Sequence, residues 1–226
     1  MNSLSAAEVL RKKLLTPPPF VRKHHSIRMA NPYSRKMGTS LCAYHVFEYS
    51  LWIELEFDRS VISLNLEPPA WNFSGNADEK NIVINAVSLD TSDRLTLHFA
   101  KENLKRFGAV SEKIKASQEW SLLNGEIKIW NDLAEVSRLD RANKDALLRY
   151  LCAPELVVNA QIGKSILSEL AGVRKLCVWD FINKLKQHDP EEVKTAIANL
   201  VVEGKIFLDM SKRFALSSDV SLREIF

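Results

Sequence analysis

The chain has 226 residues, of which 46% are hydrophobic and 26% charged, and this size and composition suit one large folded domain or two small ones. No apolar run approaches the ~18 residues of a membrane-spanning helix, and the start MNSLSAAEVLRKK lacks the apolar core of a signal peptide. Three distant cysteines without a C-x-x-C or H-x-x-x-H spacing indicate neither a disulfide framework nor a structural zinc site. We therefore expect a cytoplasmic protein that has no membrane partner.

Residues 1–40 form a basic arm on a chain whose net charge is only +3. The arm has eight cations against Glu8, which gives it +7 and leaves −4 for the rest. Its four prolines predict a partly irregular backbone, and its charge is typical of segments that contact nucleic-acid phosphates. A solubilising tail or a strap for an acidic partner surface is the alternative. The residues expected to contact DNA are Arg11, Lys12, Lys13, Arg22, Lys23, Arg28, Arg35 and Lys36.

Residues 41–153 mix helical and strand patterns, beginning with a principal helix at about 43–57. Alternating or continuous apolar residues then predict strands at about 60–66, 81–89, 95–101 and 126–130. Further helices are predicted at about 103–121, 131–137 and 142–151. This mixture predicts an α/β domain around a mostly buried sheet.

Glu48 falls inside the apolar stripe of the principal helix, between Phe47 and Leu51, whereas Glu54 and Glu56 are predicted to point elsewhere. A carboxylate on a buried helix face is costly unless a cation, a metal or a hydrogen bond compensates it. Glu48 is therefore either at the edge of the stripe, reaching solvent or a lysine, or a metal ligand in a nuclease core.

From about residue 154 the pattern becomes helical, with helices at about 157–170, 177–186 and 190–202. The last begins with Asp189 as N-cap and Pro190 at the first helical position. Residues 205–218, KIFLDMSKRFALSS, then predict a two-stranded ribbon with its turn at Ser211-Lys212. Three helices and a ribbon predict a small winged-helix domain over residues 154–226.

The third helix of a winged-helix domain usually reads DNA. Here its pattern directs five polar residues to solvent: Glu191, Glu192, Lys194, Thr195 and Asn199. Two acids near the start of a reading helix repel phosphates, so this helix is predicted to contact either a protein or DNA, with neither favoured.

Four motifs together resemble the TnsA family of transposition endonucleases: SRKMG at 34–38, YHVFE at 44–48, LEFDRSV at 55–61 and EPP at 67–69. In that family an SRK-containing lead is followed by E-S-x-L-E, then L-E-F-D-P-x-V, then Q-P. The resemblance covers about residues 25–226. It implies a restriction-endonuclease-like mixed sheet with flanking helices, followed by a small winged-helix domain. It also implies three partners, which are DNA, an integrase-type transposase and an AAA+ regulator.

Those enzymes hold magnesium with a helix glutamate, an aspartate in a P-D-F strand and an E/Q-x-K pair on the next strand. The resemblance places Glu48 at the glutamate, Asn85 at the aspartate, and Phe99 and Lys101 at the pair. Asn85 has no charge and Phe99 no ligand atom, so two of three metal-site positions are lost. Lys101 shares a strand face with Phe99 and is either a catalytic remnant or a solvated lysine at a strand end.

Three functions remain open at the level of sequence. The first is a catalytically inactive TnsA-like subunit that binds DNA and proteins in a transposition complex, with no resident metal or cofactor. The second is an active magnesium-dependent endonuclease that uses Glu48, Lys101 and a further carboxylate. The third is a winged-helix DNA-binding regulator whose first domain is a scaffold.

Overall fold

The computed structural model describes residues 5–18, 30–69, 83–101, 107–130, 138–152 and 160–222. The chain divides into two compact units, Met1–Glu135 and Val136–Phe226. Among the described helices, none combines the length and the apolar character needed to cross a bilayer. The helix predicted at about 131–137 lies outside these ranges.

The first unit is a mixed α/β structure, which confirms the predicted sheet with flanking helices. Its elements in chain order are α1 (Ala6–Leu15), β1 (Tyr33–Ser34), β2 (Thr39–Ser40), α2 (Val46–Phe57), β3 (Val61–Asn65), β4 (Ala86–Asp90), β5 (Leu95–Ala100), α3 (Phe107–Ala116), α4 (Gln118–Ser121) and β6 (Gly125–Trp130). The main sheet has the order β3-β4-β5-β6. Its first three strands are antiparallel, and β6 pairs with β5 in parallel.

One face of this sheet forms an apolar core because alternate residues of β4 and β5 point to the same side. Val87, Leu95, Leu97 and Phe99 are buried there, together with residues from α1 and α3. The helices α1 and α2 each contact β3 and β4. The core therefore depends on the alternation that the sequence shows in residues 95–100.

The first helix, α1, belongs to this core. Leu14 is 2% exposed in the core cluster. The buried Asn65 side chain donates to the carbonyl oxygens of Leu14, at 2.8 Å, and Thr16, at 3.3 Å. These carbonyls lie at the C-terminus of α1, where backbone acceptors lack helical partners. The N-terminal part of the predicted basic arm is thereby docked on the sheet.

The second unit contains α5 (Arg138–Leu151), α6 (Ala160–Ala171), β7 (Leu176–Cys177), α7 (Val178–Lys184), α8 (Pro190–Val202), β8 (Ile206–Leu208) and β9 (Asp219–Leu222). Helix α8 contacts α5, α6 and α7, and the three strands form an antiparallel sheet of order β7-β9-β8. The pattern predicts α5 as the end of the first domain. In the structure it packs on α8 in the second unit.

The predicted ribbon is wrong in its second half. Strand β8 pairs with Asp219–Leu222, with Ile206 opposite Leu222 and Leu208 opposite Val220. Residues 209–218 form a long connection and not a tight turn at Ser211-Lys212 followed directly by a strand. Asn143 of α5 holds this connection, because its side chain donates to the carbonyl oxygen of Lys212 at 2.8 Å and accepts from the Phe214 N–H at 2.7 Å.

The prediction of which residues face solvent on α8, the third helix of the predicted winged-helix domain, is also wrong in part. Thr195 and Asn199 are 2% and 4% exposed, because α5, α6 and α7 surround α8. Their polar atoms are satisfied within the helix: Thr195 donates to the Glu191 carbonyl at 2.7 Å, and Asn199 donates to the Thr195 carbonyl at 2.8 Å.

Candidate functional site

Glu48 lies in the first turn of α2, where it accepts hydrogen bonds from the start of its own helix. Its Oε2 atom accepts from the backbone N–H groups of Tyr44, at 2.8 Å, and His45, at 3.3 Å. Such groups have no helical partner, and a carboxylate near them is also favoured by the helix dipole. Backbone hydrogen bonds therefore compensate this half-buried carboxylate.

The deeply buried glutamate of α2 is Glu56, which the helical pattern predicts to point away from the apolar stripe. It is 4% exposed. Its Oε2 accepts from the Ser34 hydroxyl at 2.9 Å, and its Oε1 accepts from the backbone N–H groups of Arg35, at 2.8 Å, and Lys36, at 3.2 Å. We call Glu56 with Ser34, Arg35 and Lys36 the Glu56 clasp. A buried carboxylate is tolerated here because several donors converge on it.

The ammonium group of Lys36 completes the clasp from the other side. Its Nζ donates to the carbonyl oxygens of Leu55, at 2.8 Å, and Val61, at 2.7 Å, and also to that of Asp58. Burial lowers the pKa of Lys36 below its usual value, and the Glu56 and Asp58 carboxylates oppose that shift. An ammonium group has three donors, and all three are used on backbone at the end of α2 and the start of β3.

The clasp joins two of the motifs that carry the resemblance. SRKMG contributes Ser34, Arg35 and Lys36, and LEFDRSV contributes Glu56 together with the carbonyl acceptors. The sulfur of Met37 in the same turn accepts from the Leu64 N–H at 3.3 Å. These motif residues therefore attach the β1–β2 hairpin to the α2–β3 junction.

Asn85 and Phe99 are used by the fold. Asn85 is 9% exposed. Its side-chain Oδ1 accepts from the Ala100 N–H at 2.8 Å, and its backbone N–H donates to the His98 carbonyl at 3.0 Å. The contacts extend the β4–β5 ladder by one step. Phe99 is 2% exposed in the apolar core. Lys101 is exposed directly after β5, which ends at Ala100.

His98 and Ser88 form a buried pair that could be mistaken for a nucleophile and its base. Nδ1 of His98 accepts from the indole Nε1–H of Trp130 at 3.0 Å, so the ring proton is on Nε2, which donates to the Ser88 hydroxyl at 2.8 Å. Burial lowers the pKa of His98 to about 3, with Lys128 as a second cause. In this tautomer His98 has no lone pair directed at Ser88, so the pair is structural.

The predicted DNA-contact residues fall into three groups. Arg11 forms an ion pair with Asp93, and Lys36 is held in the Glu56 clasp. Lys12, Lys13 and Arg35 have exposed side chains. The others, Arg22, Lys23 and Arg28, lie outside the described residues.

Grouped metal ligands are not found in the described ranges, where no three His, Cys, Asp or Glu side chains are arranged to hold an ion. Glu48 accepts backbone hydrogen bonds at the start of α2, and Asn85 accepts a hydrogen bond from the Ala100 N–H of β5. Of the four predicted site residues, three have structural roles: Glu48 caps a helix, Asn85 extends the β4–β5 ladder and Phe99 packs in the core. Lys101 is exposed at the end of β5.

The second unit has an open cleft of about 570 Å³ that the sequence did not predict. We call it the basic–aromatic cleft; its main polar and aromatic residues are Arg149, Tyr150, Glu191, Lys194, Arg213 and Phe214. They come from α5, from the start of α8 and from the β8–β9 connection. Because these stretches are distant in sequence, no local motif could indicate the cleft.

Lys194 is one of the three cations that line this cleft. Its Nζ lies 2.6 Å from Glu191 Oε1 and 5.8 Å from the centre of the Tyr150 ring. The hydrogen bond to Glu191 raises the pKa of Lys194 above its usual value. The Tyr150 ring in turn meets Phe214 edge-on, with 6.3 Å between the ring centres. The cleft thus places cations beside aromatic surface.

A comparison of the chain with protein-family models gives no match, and a comparison with curated proteins gives none either.

Proposed function

We propose that the chain is a catalytically inactive, TnsA-like subunit that binds DNA and proteins in a cytoplasmic transposition complex. One observation carries the proposed inactivity: the residues at the positions of the metal ligands make structural contacts within the fold. Glu48 caps α2, Asn85 bonds to β5, and Phe99 lies in the core.

Converting these contacts into a magnesium site is unfavourable. Magnesium takes hard oxygen ligands in near-octahedral geometry, and Phe99 has no such atom. If Glu48 turned to a metal, two backbone N–H groups would lose their acceptor; that of Tyr44 is half-buried and would cost about 1 kcal/mol, whereas that of His45 is exposed and can bond to water. Hydrolysis of a phosphodiester without this metal-centred stabilisation is slower by orders of magnitude.

Two features support the finer fold assignment within the proposal. The Glu56 clasp brings together SRKMG and LEFDRSV, so the motif resemblance corresponds to contacting residues, as it should if the first unit is restriction-endonuclease-like. The order α6, α7, α8 followed by a small antiparallel sheet supports a winged-helix assignment for the second unit.

DNA contact is assigned to the exposed cations of the first unit, Lys12, Lys13 and Arg35. Reading of bases by α8 is disfavoured, because α5 packs on this helix and Thr195 and Asn199 are buried. We therefore assign to the second unit contact with a transposase or an AAA+ regulator.

The DNA half of the proposal is tested by duplex binding and cleavage with the full chain. Wild type is compared with Lys12→Ala/Lys13→Ala and with the control Lys164→Ala/Lys186→Ala, which removes two exposed cations of the second unit. We expect the first double variant to reduce the slope of log K against log salt by about 2, and the control to leave it unchanged. Equal slopes in all three proteins would contradict the assignment.

Catalytic inactivity is tested in the same samples with Mg²⁺ or Mn²⁺ added. We expect bound duplex to remain uncut, alone and with the transposase and AAA+ subunits encoded by the same element. Metal-dependent cleavage that is lost in Lys101→Ala would establish the active endonuclease instead. Failure of the chain to join a complex with those two subunits would refute the transposition role.

A further inference from the structure

We propose that the basic–aromatic cleft of the second unit binds a nucleoside phosphate, as one unit of a single-stranded nucleic acid or as a free nucleotide. This site contains none of the metal-ligand positions and no residue of the basic arm. It stands whether or not the chain belongs to a transposition complex.

The charge of the cleft favours an anion. Its lining contains three cations, Arg149, Lys194 and Arg213, and one carboxylate, Glu191. Arg149 has a side chain that is 80% exposed, and its contact with Asp145, one turn earlier on α5, is 3.3 Å long. Exposed pairs of this kind contribute little, so the guanidinium can bind a phosphate at small cost.

The aromatic surface makes a nucleoside phosphate a better ligand than a simple anion or an acidic peptide. Tyr150 and Phe214 line the cleft beside the cations, where a base can stack while its phosphate meets a guanidinium. An acidic peptide would leave the rings unused, whereas Glu191 opposes either anion to a similar extent. Bases that are stacked within a duplex cannot offer their faces to these rings, which favours a single strand.

The cleft is held open by hydrogen bonds that do not involve its cations. Asn143 accepts from the Phe214 N–H at 2.7 Å and donates to the carbonyls of Lys212, at 2.8 Å, and Met210, at 3.3 Å. The Ala215 N–H donates to the Ser218 hydroxyl at 2.9 Å. A preformed wall reduces the ordering cost of binding. The volume of about 570 Å³ is within the range of small-molecule sites.

The test uses the full chain and a 3′-fluorescein-labelled dT12 strand, with binding followed by fluorescence anisotropy. Arg213→Glu reverses an exposed charge in the cleft, and Arg174→Glu reverses an exposed charge of the same unit that does not line it. We expect Arg213→Glu to weaken binding by about tenfold or more, and Arg174→Glu by less than about threefold. Tyr150→Leu should weaken it by about fivefold or more if bases stack on the ring.

Competitors distinguish the source of the ligand. Displacement of the labelled strand by dTMP or ADP at micromolar concentration supports a free-nucleotide site, whereas displacement by unlabelled dT12 alone supports a single-strand site. Equal effects of Arg213→Glu and Arg174→Glu would overturn the proposal, as would stronger competition by a poly-glutamate peptide than by dT12. Loss of dT12 binding in Lys12→Ala/Lys13→Ala, with the cleft variants unaffected, would also overturn it. Thermal unfolding of each variant confirms that the second unit is intact.

Discussion

The hydroxyl of Ser34 donates a 2.9 Å hydrogen bond to the carboxylate of Glu56, 22 residues further along the chain, and both side chains are buried. This contact, with the two backbone N–H groups on the other carboxylate oxygen, attaches the β1–β2 hairpin to the end of α2. The stability of the first unit should therefore depend on Glu56 more than on any exposed acid.

Glu56→Ala should lower the free energy of unfolding of the first unit by about 2–5 kcal/mol, because it leaves three donors in the clasp without their acceptor. Glu56→Gln retains one acceptor oxygen and should cost less. Urea unfolding followed by the fluorescence of Trp52, Trp120 and Trp130 measures the change. Glu112→Ala, at a side chain that is 79% exposed, is the matched control, and an equal cost would contradict a structural role for the clasp.

His98 should make the first unit less stable in mild acid. Its pKa is about 3 in the folded chain and 6.5 in the unfolded chain, so between these values the unfolded chain binds more protons. Stability is therefore lost as the pH falls from about 6.5 towards about 3. Between pH 7 and pH 5 the loss from this residue is about 2 kcal/mol.

Urea unfolding of wild type and His98→Gln over that range measures this contribution. The variant should show a smaller loss by about 2 kcal/mol. At pH 8 to 9 the imidazole is neutral in both states, so the two proteins should have parallel profiles there. Parallel profiles between pH 7 and pH 5 as well would show that the histidine is not kept neutral by burial.

Asn143→Ala should loosen the β8–β9 connection of the second unit. The variant removes the acceptor of the Phe214 N–H and two donors to carbonyl oxygens, at a cost of about 2–4 kcal/mol. Hydrogen exchange of the Phe214 amide should become faster by about 30-fold to 900-fold, which corresponds to the same free energy. Asn183→Ala, at an exposed position of α7, should leave it unchanged.

Introducing carboxylates at positions 85 and 99, where the resembled family has metal-site residues, should have unequal effects. Asn85→Asp keeps an acceptor for the Ala100 N–H and should fold. Phe99→Glu puts a carboxylate into the apolar core with Val87 and Leu97, and should cost more than about 4 kcal/mol. Thermal unfolding distinguishes the two, with Phe99→Leu as the control for lost volume.

Metal binding by the same variants completes this test. We expect no Mn²⁺ binding in calorimetry for the wild type or for Asn85→Asp, because Glu48 remains occupied at the helix start. Wild-type binding that is lost in Asn85→Ala would mean that the position still serves a metal.

The periodic elements could be predicted from the sequence because their signal is local. The principal helix expected at about 43–57 is Val46–Phe57, and the alternating residues of 95–101 form β5. A cap and a proline likewise indicate the start of α8 at Pro190. These features depend on neighbours within a few residues.

The burial of single polar residues could not be predicted in this way, because it depends on distant partners. Glu56 is buried by a turn that lies about twenty residues before it. Thr195 and Asn199 are buried where α5, α6 and α7 pack around α8, and the connection before β9 is bonded to Asn143 of α5. Helical periodicity contains no information on these contacts.

The Glu56 clasp also bears on how such a protein can change during descent. Its residues secure the junction of a hairpin, a helix and a strand, so their loss would endanger folding in an active enzyme and an inactive one alike. Under the proposed function, positions 85 and 99 would be free to change once catalysis was dispensable, and here they hold a hydrogen-bonded asparagine and a core phenylalanine. The residues of SRK and LEFD that form the clasp should therefore be retained for folding whether or not the protein cuts DNA, so the presence of these motifs is not evidence of activity.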